Sequence, residues 1–418
     1  MTQLTTLANG VRVVSHTMPH VATVAIGLHV DTGARNEDER TNGVAHLLEH
    51  MVFKGTATRS ARAISEQIED VGGSLNAYTA RDMTVFHARM LAEDTALGLE
   101  IVADLVRNPR FDPDELTREK DVVLQELGEA RDAPDDIVFD HLQAAAYAGQ
   151  ALGRSILGSE ASIAAITDAD LRDWLAVQYR GGSCIVAAAG AVDHAALVDL
   201  SDRLLGDLAP GTRPAAPAAA FAPGVVHDRR RFEQAHLTLG AAAPGHGDPD
   251  HDAIALFTMA AGGGASSRLF QELREERGLA YSVYASTTPY ADAGLFSVYL
   301  ATAKKDAARA FDLAVEVLAA TAATLSPEEL ARAKAQVRAG LLMSLEAPGG
   351  WAEFVARQLL AHGRLQTAAE LVARIEAVDL DHVRAAAGRL VARPYATADV
   401  GSPARSRAGG AATLERAA

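Results

Sequence analysis

Residues 46 to 50 read His46-Leu47-Leu48-Glu49-His50, a set of residue types whose spacing does chemistry when the segment is helical. Positions i, i+3 and i+4 share one face of a helix, so two imidazoles and a carboxylate point into one volume. Two neutral imidazoles there can hold zinc. A third protein ligand and an open position for water make such a site catalytic rather than structural. Glu49, between the histidines, is placed to take a proton from metal-bound water and return it to a leaving amine. The order H-x-x-E-H inverts the commoner zinc-peptidase helix H-E-x-x-H and is the inverzincin signature. With 14 histidines in 418 residues the pentapeptide also arises by chance, so its weight depends on a further ligand.

That ligand is expected on a second helix with a carboxylate on its packed face. Asp112 as N-cap, Pro113 as first helical residue and Glu115 as the third make a capping-box pattern, which predicts a helix from 113 to about Ala130. Glu119 and Glu126 are two turns apart on one face, and Val122, Val123 and Leu127 predict that this side is partly buried. A carboxylate pair against an apolar surface without nearby cations is costly unless a metal or hydrogen bonds compensate. Glu126 is read as the ligand, with a solvated helix face as the alternative. Glu119 is read as the partner of a ligating histidine or as a backup ligand.

The elements around these residues follow from periodicity. Val11 to Val14, after the Asn9-Gly10 turn signal, and Val21 to Val30 read as paired strands. Residues 43 to 54 switch to a helical period through Val44, Leu47, Leu48 and Met51, and Ser60 to Val71 is a second helix ended by Gly72-Gly73. Strands are predicted at Ser74 to Thr79 and Thr84 to Ala88, a helix over 94–107 closed by Asn108-Pro109, and mostly helix over 136–208, with one buried strand at Ser183 to Ala191. Pro210, Pro214, Pro217 and Pro223 mark 209–224 as a linker. Beyond it the order repeats: strand Ala235 to Ala242, helices Asp250 to Ala261 and Ser267 to Glu276, strands Ala280 to Thr287 and Leu295 to Ala301, then long helices at Asp306 to Thr324, Pro327 to Leu345 and Gly350 to His362. An internal duplication explains this order. The predicted class is α+β: two homologous domains, 1–208 and 225–402, each an antiparallel-rich sheet covered by helices, with a mobile tail at 403–418.

Composition narrows the function. Lys plus Arg total 39 against 54 Asp plus Glu, a net charge of −15, which argues against coating nucleic acid or an anionic membrane. The content is 49% hydrophobic but only 5% aromatic, and much of it is alanine, so helices with small-residue packing are expected. The single cysteine, Cys184, rules out an intramolecular disulfide and a Cys-rich metal site, and its apolar neighbours predict burial. The N-terminus does not read as a secretory signal, and no apolar run reaches the roughly 18 residues of a membrane span, which makes the cytoplasm the default compartment.

Residues 43 to 56, Gly-Val-Ala-His-Leu-Leu-Glu-His-Met-Val-Phe-Lys-Gly-Thr, with Glu119 to Leu127 lying 76 positions from His50 to Glu126, closely resemble the zinc-ligand segments of the pitrilysin (insulinase, M16) family. The resemblance continues through Gly72 to Thr79 and Arg81 to Thr84, resumes in the second half, and is to the short two-domain type that resembles the catalytic subunit of mitochondrial processing peptidase. It implies zinc, one ion per chain, on His46, His50 and Glu126, with Glu49 as general base. Asn76 and Ala77 resemble the edge strand that pairs with substrate backbone, with a core-capping turn as the other reading of Asn76. Phe53 matches a position lining the pocket for the residue after the scissile bond, or is ordinary core.

In the second half, Gly262-Gly263-Gly264 is not followed by G-K-[ST] and lacks a dinucleotide-binding context, so it is a flexible or close-approach loop rather than a phosphate loop. Arg274 and Tyr281 match the family's Arg and Tyr that hold the substrate carbonyl and stabilise its oxyanion; a helix salt bridge and simple packing are the alternatives. Asp250-His251-Asp252-Ala253-Ile254 replaces the zinc motif here, so a second metal site is not expected. The resemblance implies half of a clamshell chamber, completed by a homodimer whose sites take zinc from one chain and Arg274 and Tyr281 from the other. The expected activity is zinc-dependent endopeptidase cleavage of flexible peptides or leader segments. The acidity favours basic peptides, unless those acids are simply solvated. The alternative is a non-catalytic or partner-dependent peptide-binding subunit.

Overall fold

The computed structural model describes residues 1–392, 394–401 and 413–415 and contains two six-stranded sheets. In the first, β1 (Thr2–Thr6), β2 (Arg12–Thr17), β3 (Thr23–Val30), β4 (Ser74–Thr79), β5 (Thr84–Leu91) and β6 (Cys184–Gly190) lie in the order β1-β2-β6-β3-β5-β4. In the second, β7 (Val225–Asp228), β8 (Ala235–Ala242), β9 (Ala280–Pro289), β10 (Gly294–Thr302), β11 (Ala396–Val400) and β12 (Thr413–Glu415) lie in the order β12-β7-β11-β8-β10-β9. The path β2-β6-β3-β5-β4 recurs as β7-β11-β8-β10-β9. Each path has one parallel pair, β2 with β6 and β7 with β11, and is otherwise antiparallel. The α+β duplication read from the sequence is thus repeated strand for strand. Cys184 is buried at the start of β6.

Two compact units form, one of residues 1–127, 155–217 and 343–365, the other of 128–154, 218–342 and 366–418. The division within the linker falls between Pro217 and Ala218, inside 209–224, but two helical segments depart from the simple halves. Each sheet has a second face that its own half leaves bare. In the first unit Val355, Ala356 and Leu359 of the helix Pro348–His362 pack on Val14, Ile185 and Ala187, and Ala352 packs on Ala25 and Ala189. In the second unit Val138, Leu142 and Ala145 of the helix Pro134–Ala146 pack with Leu295, Tyr299, Ala396 and Ala398. The alanines keep each sheet face shallow enough for a helix to lie close.

Several elements lie outside the sequence expectations: β1, β7, β11, and the helices Ala368–Ala377 and Leu380–Val391. The expected helix Ser267 to Glu276 is π-helical over Phe270–Glu275. Of the tail expected to be mobile, 403–412 and 416–418 lie outside the described residues, and Thr413–Glu415 pairs in parallel with β7. Among the described residues no single helix is long and apolar enough to cross a membrane.

The other face of the first sheet holds the main core of that unit. Val24, Ile26, Leu28, Phe86 and Ala88 pack there with Leu47, Leu48 and Met51 of the helix Val44–Val52 and with the helix Thr95–Arg107. Gly33 fixes the approach to this layer. A Cβ there would come within 2.2 Å of the Ala80 carbonyl oxygen, and the bare backbone lets Ala34 and Arg35 N–H donate to Ala80 and Arg81 carbonyls at 3.1 and 3.0 Å. The turn that ends β4 is thereby held.

Candidate metal centre

The helix Val44–Val52 exists because its apolar residues form one stripe, and it is aimed by its N-terminus. Gly43 takes φ 95°, a left-handed conformation open to glycine. Buried Glu37 supplies the cap that Gly43 lacks: its carboxylate accepts from Gly43 N–H at 2.8 Å, Ala45 N–H at 2.9 Å and Asn42 Nδ2 at 2.8 Å. A carboxylate at this end also complements the helix dipole. The sequence reading missed Glu37, because it caps from six residues upstream through a loop rather than at a capping-box spacing.

The second helix, Pro113–Asp132, starts as the sequence indicated, with Asp112 Oδ1 accepting from Asp114 and Glu115 N–H at 2.9 and 3.3 Å. Val123 and Leu127 are buried, but Val122 is 40% exposed, which corrects the expectation that it marks the packed side. The packed stripe is Leu116, Glu119, Val123 and Leu127, at steps of three and four.

These helices bring His46, His50 and Glu126 together, with one ligand atom from each within 4.8 Å of the others. Glu126 Oε2 stands 3.8 Å from His46 Nε2 and 3.5 Å from His50 Nε2. Ligands about 2.0–2.1 Å from a tetrahedral zinc are about 3.3–3.4 Å apart, so both Glu126 distances lie close to those of such a site. His46 pKa is pushed down to about 4 by burial and by neighbouring His50, which keeps the ring neutral and able to ligate at pH 7. Its Nδ1 is buried without a hydrogen-bond partner.

Glu119, whose side chain is only 6% exposed, accepts from His50 Nδ1 at 3.1 Å. This hydrogen bond directs His50 Nε2 toward Glu126. Its other oxygen lies 2.6 Å from Lys54 Nζ. The buried carboxylate therefore does have a nearby cation, contrary to the sequence reading, because Lys54 lies one turn beyond His50, where the helix has just ended.

Glu49 shares the helix face. Burial raises its pKa, Glu126 adds to the rise, and the hydrogen bond from Thr79 and the proximity of His50 oppose it. Thr79 Oγ1 donates to Glu49 Oε2 at 2.6 Å. The sequence pattern places Thr79 in a strand without giving it a role. Strand alternation was the available signal, since Thr79 shares the face of buried Ala77 toward the motif helix.

Asn76 and Ala77 lie on β4, the edge strand of the first sheet, paired on one side only, with β5. Asn76 is exposed and Ala77 buried. Phe53 follows the motif helix, is half-buried, and packs against the main core. Arg274 and Tyr281 belong to the second unit, where the Arg274 guanidinium lies 5.3 Å from the Tyr281 ring centre and 4.8 Å from that of Phe270. Tyr281 is 71% exposed.

Two helices in the unit of the first sheet carry a two-histidine, one-glutamate cluster, the candidate metal centre found among the described residues, and with two sheets that share one strand path this defines a class: a duplicated α+β protein with one candidate metal centre among those residues. Residues 12–160 match the insulinase (peptidase family M16) model, and 165–337 match the peptidase M16 inactive domain. The chain belongs to the M16 peptidase family. It is 38% identical over 404 residues to an uncharacterized zinc protease of Mycobacterium tuberculosis, covering 95% of this chain and 92% of that one. It is 36% identical over 406 residues to the probable mitochondrial-processing peptidase subunit beta of Arabidopsis thaliana, covering 93% and 76%. A Pseudomonas fluorescens crystal structure described as a peptidase M16 inactive domain has the same fold, with a TM-score of 0.89 at 24% identity, covering 97% of this chain and 99% of that one.

Proposed function

We propose that the protein is a zinc-dependent endopeptidase acting on unfolded or short peptides, with Glu49 as general base. The observation that carries this reading is the convergence of His46, His50 and Glu126 beside a half-buried carboxylate on the same helix. When bound there, zinc supplies Lewis-acid chemistry. Glu49 takes the proton of the attacking water and passes it to the leaving amide nitrogen, and Thr79 holds its carboxylate toward that task. The edge strand β4 pairs with an extended peptide through main-chain hydrogen bonds, which explains binding without a strict sequence rule. Arg274 and Tyr281 hold the scissile carbonyl and its developing oxyanion, each worth about 3–4 kcal/mol in the transition state.

The working form is a homodimer in the cytoplasm, each site pairing one chain's metal ligands with Arg274 and Tyr281 of the other. Flexible peptides or leader segments are the substrates, and the net charge of −15 favours basic ones among them. The test is hydrolysis of a mixed library of quenched unfolded peptides by the zinc-loaded protein, beside Glu49→Gln and Arg274→Ala. Cleavage by the parent, loss in Glu49→Gln with zinc retained, and recovery on mixing the two variants are expected. Equal cleavage by the parent and Glu49→Gln overturns the base assignment. No cleavage with zinc bound favours a non-catalytic or partner-dependent peptide-binding subunit, and recovery failing on mixing overturns the shared site.

A further inference from the structure

The free edge strand of the first sheet is held from behind by a helix that comes from the second half of the sequence. Directly paired residues share a face. Tyr78 opposes Val85 across β4 and β5, and Val85 opposes His29 across β5 and β3, so these side chains lie together on the face away from the metal centre. The helix Pro348–His362 packs on that face over β2, β6 and β3, which leaves β5 between it and β4. Tyr78 spans the gap. Its Oη donates to Glu353 Oε1 on the helix at 2.6 Å, over buried Val85. Arg357, one turn along, donates from Nε to the same oxygen. Burial and the bond to Glu353 raise the Tyr78 pKa, which keeps the hydroxyl protonated and donating.

The next residue holds the strand from the front, where Thr79 Oγ1 donates to Glu49 Oε2 at 2.6 Å. Successive residues of β4 are thus fastened to opposite faces, one to the motif helix and one to the helix Pro348–His362. The ladder shows what this fixes. Ala80 N–H donates to the Met83 carbonyl at 2.8 Å. Alternation from that pair turns the main-chain groups of Asn76 and Tyr78 toward β5 and those of Leu75, Ala77 and Thr79 toward the free edge. Tyr78 therefore sits between Ala77 and Thr79, whose outward N–H and C=O groups are the ones a pairing peptide meets.

We propose that Tyr78 and Glu353 are positioning residues for substrate: their hydrogen bond holds β4 from behind, so that an extended peptide pairs with an edge already in place. This rests on the reading of β4 as the strand that receives the peptide. Without the bond, β4 keeps its ladder to β5 but has to be ordered as the peptide binds, and that ordering is subtracted from affinity. Main-chain pairing is made alike in the bound substrate and in the transition state, so its weakening raises KM and changes kcat little.

Tyr78→Phe keeps the ring and removes only the hydroxyl. Calorimetric titration with an unstructured peptide rich in Thr and Lys, in the zinc-loaded Glu49→Gln background so that the peptide stays intact, is expected to show about tenfold weaker binding in Tyr78→Phe. Glu353→Leu should match it, and the double variant should be no weaker than either, because both remove one bond. Hydrogen exchange at the Asn76 and Tyr78 amides should quicken while exchange in β6 and the thermal midpoint hold, a pattern that a general loss of stability does not give. With Glu49 intact, Tyr78→Phe should raise KM and leave kcat nearly unchanged. Unchanged affinity in Tyr78→Phe overturns the proposal, as do losses in the two variants that add in full. If the Glu49→Gln background binds no peptide, the reading of β4 as the receiving strand fails, and exchange at Asn76 and Tyr78 still decides whether the bond holds the strand. Tyr78→Phe carries the test if Glu353→Leu does not fold.

Discussion

Replacing Glu119 with glutamine tests whether the metal site is tuned from behind its ligands. The parent carboxylate uses its two oxygens on two different donors, His50 Nδ1 at 3.1 Å and Lys54 Nζ at 2.6 Å. An amide of the same shape has one acceptor, so serving either donor turns an NH2 group toward the other. With the side chain 6% exposed, little water is there to compensate. Loss of such an outer partner weakens metal binding by about 10–100-fold, equivalent to about 1.4–2.7 kcal/mol. Competition for zinc against a chromophoric chelator measures this directly, and thermal unfolding of the metal-free variant separates it from a general loss of fold. Unchanged zinc affinity in a folded Glu119→Gln protein refutes the reasoning, because His50 would then be oriented by the helix alone.

Thr79→Val removes the donor to Glu49 Oε2. With burial then less opposed, the Glu49 pKa rises further, the acid limb of the kcat/KM profile moves to higher pH, and activity at neutral pH falls about tenfold. Serine at position 79 should restore most of it. Gly33→Ala places a methyl 2.2 Å from the Ala80 carbonyl oxygen and is expected to cost about 1–3 kcal/mol, seen as a lower thermal midpoint together with weaker activity through the displaced end of β4. Buried His29 has its pKa pushed from 6.5 down to about 4, mainly by burial. The unfolded chain therefore binds the extra proton across this window, and stability, full above pH 6.5, is lost as pH falls toward 4, by about 3 kcal/mol at most. His46 and His16, also pushed down to about 4, contribute in the same window, so the thermal midpoint followed against pH should show a combined slope, and His29→Gln should reduce it by its own share.

Local patterns carried the first unit far. The 3.6 period placed the motif helix within two residues of its observed ends, and the Asp112-Pro113 start placed the helix that carries Glu119 and Glu126. Alternation found β3, β4 and β5. Spacing along single helices is enough to put His46 with His50 and Glu119 with Glu126. What brings the two pairs together is packing between helices 60 or more positions apart in sequence; the need for a third ligand and the carboxylates of the capped helix singled out Glu126, and the family resemblance supported the pairing. Lys54 shows the limit: its charge is visible in the sequence, but its reach back to Glu119 depends on where the motif helix stops.

The exchange of helices between the sequence halves marks where local reasoning ends. The helix Pro134–Ala146 and the helix Pro348–His362 read as ordinary apolar helices of their own halves, and nothing in their periodicity says which sheet they cover. Complementary surfaces decide it. On β6, Ala187 and Ala189 leave a shallow face that admits Ala352 and Ala356 closely, while Tyr299 and Leu295 on β10 meet the larger Val138 and Leu142. A sheet needs cover on both faces, and here part of that cover comes from the other half of the sequence. Folding either half alone would leave one sheet face bare, so a fragment of residues 1–208 is expected to aggregate or to expose an apolar face to dye binding. Adding the segment 343–365 in the same chain should suppress that exposure.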